Sequence, residues 1–373
     1  MSISLNKDQN KTRSEPGDHG MSDSNRYLKC LPWQAAKYDR LVQQQLAGKL
    51  SHSLLIVGQE FLGKQHFALS IAGAMLCEAP TEPDATDTVR SSACGQCTGC
   101  LLQLAGTHPD FRFLKPEDSK SIKIEQIRDM ISWVSQTAQR AGKKVVIIDP
   151  AEQMTHQCAN ALLKCLEEPP GDSLIMLVSS QSGRLLPTIR SRCQLVEFHP
   201  PSRDVAVRWL LAQPDFIKGH GKTAEQDAAL LVEIAGGAPL AVLERFDEAF
   251  LARRKTIIMS VTDLVTGQKS AQQVSELLVK AGAADSLECL CDIVTDCLKY
   301  HSGGDTKYIK NKDLVASVEA ISGRFDVQGL FRVDEILKTA RRELTGVSNP
   351  DPVLLIESVM ISLKSMVNRR PIS

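Results

Sequence analysis

The chain predicts an α/β domain built on a parallel sheet, followed by helical domains. Two observations carry this reading. Short, continuous apolar runs, SLLIVG at 53–58, KKVVIID at 143–149, SLIMLVSS at 173–180 and QLVEFH at 194–199, alternate with helical patterns, as expected of strands covered on both faces. After His199-Pro200-Pro201 the strand signal stops and only helical patterns follow. The length, 373 residues, suits two or three domains, and 43% hydrophobic with 24% charged residues excludes wholesale disorder. Lysine plus arginine and aspartate plus glutamate each total 44, so bulk charge argues for neither a nucleic-acid nor a membrane partner. No apolar run is long enough to span a bilayer.

Taken in order, the first 26 residues are polar and lack the apolar run of a signal peptide. They are expected to be a disordered tail, with Met21 an alternative start and a cytoplasmic location. An α/β domain is expected over 27–200. FRFLK at 111–115 is a further strand candidate, and Ile124, Ile127, Ile131 and Val134, like Ala159, Leu162, Leu163 and Leu166, fall at helical spacing. The segment 82–92 is low in complexity. A small helical domain is expected over 201–242, with helices around 203–211 and 225–235 stopped by Gly236-Gly237-Ala238-Pro239. A larger helical domain is expected over 243–373, with polar joints such as HSGGDTK at 301–307.

Gly58-Gln59-Glu60-Phe61-Leu62-Gly63-Lys64-Gln65 follows a predicted strand and opens a predicted helix. This is the context of a P-loop, where backbone N–H groups cradle phosphates and the lysine reaches the β/γ oxygens. The last position calls for serine or threonine to bind magnesium, and here it is Gln65. Asp149 ends an apolar strand and suits a Walker-B magnesium contact, although such residues often only cap a turn. The glutamate that would activate water is replaced by Pro150, with Glu152 displaced by two positions. Gly58, Gly63, Lys64 and Asp149 therefore mark a vestigial nucleotide site, with no hydrolysis expected.

Among the 11 cysteines, Cys94, Cys97 and Cys100 share one short glycine-bearing loop, and Cys77 is the natural fourth ligand. Four thiolates suit a structural zinc; an iron–sulfur cluster also accepts the spacing, and free thiols remain an alternative. Cys158, Cys165, Cys193, Cys289, Cys291 and Cys297 lie on helical or strand patterns and read as small core residues.

Leu185-Leu186-Pro187-Thr188-Ile189-Arg190-Ser191-Arg192-Cys193 leads into the last predicted strand. Together with the incomplete P-loop, the cysteines before THPDF at 107–111 and ALLKCLEEPP at 161–170, it resembles the subunits of the bacterial DNA polymerase III clamp loader. The defective ATP motifs make it similar to the delta-prime type rather than to the ATP-hydrolysing tau/gamma type. The resemblance implies an AAA+ P-loop module, a helical lid and a helical collar through which subunits assemble. It implies a hetero-oligomer with tau/gamma and delta, acting on the sliding clamp (beta) and primed DNA in DNA replication. It also implies that Arg192 acts in trans as an arginine finger on a neighbour's ATP, where a rigid permanent cation suits a transferring phosphoryl group. A surface ion pair is the plain alternative for Arg190 or Arg192. The sensor arginine of active AAA+ subunits is missing before Arg245, while Ser179 or Ser180 suits the other sensor position. The expectation is a non-catalytic stator within the polymerase assembly, without ATPase or polymerase activity of its own. An ATP-hydrolysing subunit and a zinc-dependent DNA-binding module are the rivals; Gln65 and Pro150 oppose the first, and balanced charge opposes the second.

Overall fold

The computed structural model describes residues 28–80, 93–117, 121–140, 142–303, 306, 309–345 and 350–367. The expected tail, Met21 and the segment 82–92 lie outside the described residues. Contacts divide the chain into one unit of residues up to 58 plus 63–197, and a second of 59–62 plus the residues from 198 onward.

In the first unit the predicted strands form: β1 Ser53–Gly58, β2 Phe111–Leu114, β3 Lys144–Ile148, β4 Ser173–Ser179 and β5 Gln194–Phe198. Their order is β2-β3-β4-β1-β5. β1 pairs parallel with β4 (Leu55 opposite Leu177), β3 with β4 (Ile147 opposite Met176), and β2 with β3 (Phe113 opposite Ile147). This is the parallel sheet that the AAA+ resemblance implied. The central runs are apolar throughout because both faces are covered. Leu55, Val146, Ile148 and Leu177 enter a core with Ile127, Met130, Leu162 and Ile189 from α4 (Ile124–Val134), α5 (His156–Glu167) and α6 (Pro187–Arg190). α2 (Lys64–Leu76) contacts β1, β3 and β4, and α1 (Ala35–Leu46) packs on α2. α3 (Thr98–Leu104) follows the cysteine loop. The sequence reading missed α1, although Tyr38, Leu41 and Val42 sit at helical spacing and are buried.

The second unit is helical. α7 (Arg203–Leu211), α8 (Pro214–His220), α9 (Ala224–Ile234) and α10 (Pro239–Arg245) share one core that extends to Phe250. A separate, larger core is built by α11 (Phe250–Thr266), α12 (Ala271–Ala281), α13 (Ala283–Gly303), α14 (Val315–Ser322), α15 (Val327–Thr345) and α16 (Pro352–Val367). Ser270 caps α12 with a capping box: its hydroxyl accepts from the Gln273 N–H at 3.2 Å, and the Ser270 N–H donates to Gln273 Oε1 at 3.0 Å. The joint expected at 301–307 starts later than predicted. α13 runs through Gly303, because His301 remains helical, its ring nitrogen 3.1 Å from the Ser322 carbonyl. Among the described residues no single helix is long and apolar enough to cross a membrane.

Candidate functional site

Parallel strands deliver their carboxyl ends to one edge, where open α/β sheets bind ligands. The loops after β1, β3 and β4 therefore bring the phosphate-loop residues, Asp149 and Ser180 together. The loop turns through Gly63, the residue before α2, at φ 76, and through Phe61 at φ 59. Holding a non-glycine residue in the left-handed region costs roughly 1–2 kcal/mol. Lys64 is 6% exposed and donates to the Ser180 hydroxyl at 2.9 Å. The Ser180 N–H in turn donates to Glu152 Oε1 at 3.0 Å. Burial raises the Asp149 carboxyl to about 6; the Lys64 charge opposes this rise and the Glu152 charge adds to it. Lys64 is thus satisfied and electrostatically balanced by groups of its own chain. Of the two serines, Ser180 meets the lysine, while the fully buried Ser179 accepts from the Gln181 N–H. Gln65 is exposed on the first turn of α2. The hydrogen bond that ties Glu152 to Ser180 was not anticipated, since it joins residues 28 apart across two strand ends.

Among the described residues Cys77, Cys94, Cys97 and Cys100 form a group whose sulfurs all lie within 4.8 Å of one another. The Cys77–Cys97 sulfurs are 3.9 Å apart and the Cys94–Cys100 sulfurs 4.0 Å. A tetrahedral ion with bonds of about 2.3 Å places its thiolates about 3.8 Å apart. One small ion fits this spacing; an iron–sulfur cluster would interpose its own atoms and spread the ligands. Backbone N–H groups already point at the sulfurs: Cys94 at Cys77, Cys97 at Cys94 and Cys100 at Cys97, at 3.2–3.4 Å. Burial pushes the Cys77 and Cys100 thiols up. Burial acts on Cys97 in the same sense, but the N–H groups of Cys100 and Glu78 and the neighbouring thiols outweigh it, so that its thiol falls to about 6. Four thiolates this close repel one another unless a cation sits among them. With four protein ligands no position is left open for chemistry. Beside the cluster, Arg140 pairs with Glu78 at 2.8 Å, and the buried Asp110 accepts the Gln139 and Arg140 N–H groups at 2.7 Å each.

Arg192 lies at the other edge of the sheet. Its carbonyl accepts from the hydroxyl of Ser53, the first residue of β1, at 2.9 Å. The phosphate loop leaves from the last residue of that strand, about 16 Å away at roughly 3.3 Å per residue. The guanidinium bonds to Glu167 at the end of α5 through Nε and Nη2, and Nη1 donates to the Thr188 carbonyl at 3.0 Å. Its side chain keeps 34% exposure, and Arg190 is exposed. The surface carboxylate pair that sequence reading set against the finger is therefore present, and its partner belongs to ALLKCLEEPP. In the second unit Arg245, the last residue of α10, pairs with Glu288 of α13.

A parallel sheet with a phosphate-type loop whose lysine is engaged by Ser180, a four-cysteine knuckle, and an arginine beyond the start of β1 define a P-loop-like α/β module. The family described as "DNA polymerase III, delta subunit" matches residues 33–202, and "DNA polymerase III, delta subunit, C terminal" matches 248–365. The chain is 32% identical over 339 residues to DNA polymerase III subunit delta' of Pseudomonas aeruginosa, covering 90% of this chain and 97% of that protein. It is 29% identical over 339 residues to DNA polymerase III subunit delta' of Escherichia coli (strain K12), covering 90% and 96%. Among solved structures, a DNA polymerase III gamma subunit-related protein from Thermotoga maritima aligns at 18% identity and a TM-score of 0.42, over 90% of this chain and 99% of that one. The chain belongs to the DNA polymerase III subunit delta' family.

Proposed function

We propose that this chain is a non-catalytic stator of the DNA polymerase III clamp loader. In this reading it supplies Arg192 to the ATP site of a neighbouring tau/gamma subunit and helps place the sliding clamp on primed DNA. The α/β module (27–200) presents the arginine, the lid spans 201–242, and the collar (243–373) assembles the hetero-oligomer with tau/gamma and delta. Cys77, Cys94, Cys97 and Cys100 hold one structural zinc. The observation that carries the reading is the position of Arg192. Its backbone is tied to the start of β1, so a side chain reaching about 7 Å cannot serve the chain's own phosphate loop about 16 Å away. If it meets a phosphate, that phosphate is held by another chain.

Gly58, Gly63, Lys64 and Asp149 are the remains of a nucleotide site. Gln65 offers no magnesium hydroxyl, Pro150 no base, and the lysine is engaged by Ser180. The test is reconstitution of the loader with Arg192→Ala or Arg190→Ala. Arg192→Ala is expected to assemble normally, and the site it faces to lose most of its turnover, since a trans arginine contributes about 10³–10⁵-fold in other phosphoryl-transfer systems. Total turnover falls less, because other sites are untouched, and clamp loading falls more. Arg190→Ala is expected to be milder. Wild-type loading by an assembled Arg192→Ala loader rejects the reading. The isolated chain is expected to release no phosphate from ATP, and turnover that disappears in Lys64→Ala would reject the non-catalytic assignment.

A further inference from the structure

We infer that Glu167 is the positioning residue of Arg192, an inference that rests on the trans-arginine reading above. The arginine is held at two levels. Its backbone is fixed at both peptide groups: its N–H donates to the Ile189 carbonyl at 3.1 Å, and its carbonyl accepts from Ser53, a fully buried residue. Its side chain is then held along one edge. Nε and Nη2 both donate to Glu167 Oε1, and Nη1 donates to the Thr188 carbonyl.

A guanidinium has five N–H donors in a rigid plane. Gripping it by Nε, Nη2 and Nη1, the last also 3.4 Å from the Ser191 hydroxyl, fixes the plane; the second N–H of Nη2, and that of Nη1 once this long contact gives way, remain for a ligand. Those are the groups that bond a phosphoryl oxygen. Glu167 is itself well anchored: it is the last residue of α5, whose Leu162, Cys165 and Leu166 are buried in the core. Its side chain has 47% exposure, which screens the pair and limits its contribution to folding. An exposed pair of this kind is a weak stabiliser but an effective orienter, because an unrestrained arginine samples many rotamers. Ground-state misplacement by about 1 Å can cost about 10²-fold in rate.

The experiment uses the reconstituted loader with all ATP sites inactivated except the one facing Arg192, and follows DNA-dependent ATP turnover. Four versions of this chain are compared: Glu167→Ala, Glu167→Gln, Arg192→Ala and Glu167→Ala/Arg192→Ala. Glu167→Ala is expected to lower kcat about tenfold with KM for ATP unchanged, since orientation at the reacting phosphate is lost while nucleotide binding belongs to the neighbour. Glu167→Gln keeps an acceptor oxygen in place and is expected to stay within about threefold of wild type. In the Arg192→Ala background, Glu167→Ala should add no further loss, because its effect passes through the guanidinium. Assembly and melting temperature are followed for every variant.

Wild-type turnover in Glu167→Ala, with Arg192→Ala still impaired, overturns the positioning role alone. A rise in turnover overturns it too and makes Glu167 a brake on the finger. A further loss in the double variant shows that Glu167 acts elsewhere, with the same consequence. If Arg192→Ala itself turns over normally, the trans-arginine reading fails and this inference fails with it.

Discussion

The phosphate-loop lysine shows how the chain's own groups can hold a buried charge. Lys64 is buried, but its ammonium donates a hydrogen bond to the Ser180 hydroxyl and Asp149 lies close enough to interact with its charge. Burial dominates at Asp149, and its carboxyl titrates at about 6, against an ordinary value near 3.9. An acid whose folded value is raised binds its proton more tightly in the folded chain. Stability from this group is therefore greatest below about pH 4, declines as pH climbs toward about 6 and is level beyond. The shift corresponds to at most about 3 kcal/mol, and water access at this edge reduces it to the order of 1–2 kcal/mol. Asp149→Asn is expected to be the more stable protein at pH 7.5 by that amount, with the advantage vanishing near pH 4. Thermal melts of both proteins at pH 4, 6 and 7.5 check this; an advantage independent of pH would show that Asp149 is charged throughout.

At the scale of elements, the cysteine knuckle depends on one contact that spacing alone does not reveal. Gly99, the second residue of α3, lies against the end of α2, and a Cβ there would lie 2.5 Å from the Leu76 carbonyl oxygen. Gly99→Ala must push α3 away from the α2 terminus that carries Cys77, at a cost of about 1–3 kcal/mol. The expected outcome is about one zinc per chain in the native protein, faster loss to a chelator in Gly99→Ala, and loss of the metal in Cys97→Ser. Elemental analysis and chelator kinetics measure this; iron in place of zinc, or unchanged metal retention in Gly99→Ala, contradicts it. The cysteines themselves were legible because metal ligation imposes short spacing on the sequence. So were the strands, because a sheet covered on both faces demands continuous apolar runs, and β1 forms at the predicted residues. The polar contacts were not legible. Lys64 and Ser180 are 116 residues apart, and Arg192 and Glu167 are 25 apart; no local periodicity records such pairings. Glu167 was already inside a quoted motif, and the motif alone gave no sign that its carboxylate would meet the arginine.

At the scale of the whole molecule, separate cores allow separate failures. The core built by α11–α16 contains a buried polar network that the sequence reading did not single out. Arg254, 2% exposed, donates from Nη1 and Nη2 to the two carboxylate oxygens of Asp313 at 2.8 Å each and from Nε to Asn311 at 3.1 Å. Asn311 is fixed by the fully buried Asp296, which accepts its N–H at 2.7 Å and its amide at 2.6 Å. The network pins the segment around 310–313 to α11 and α13, where an apolar core could not specify its position. Removing Arg254 leaves the partly buried Asp313 carboxylate and the buried Asn311 amide oxygen without their donor, a loss of about 1–3 kcal/mol. Arg254→Ala is therefore expected to unfold the α11–α16 core at a lower temperature and, on the proposed assembly role, to weaken incorporation into the loader. The sheet core, built from other residues, should keep its protection and its metal. Hydrogen exchange read separately on peptides from β1, β3 and α13, with zinc content measured on the same sample, distinguishes the outcomes. If β1 and β3 lose protection in step with α13, the two cores melt as one cooperative unit, and a defect in the α11–α16 core would reach Arg192 directly. If only α13 loosens, the α/β module keeps Arg192 in place regardless of the α11–α16 core, as the proposed stator role requires.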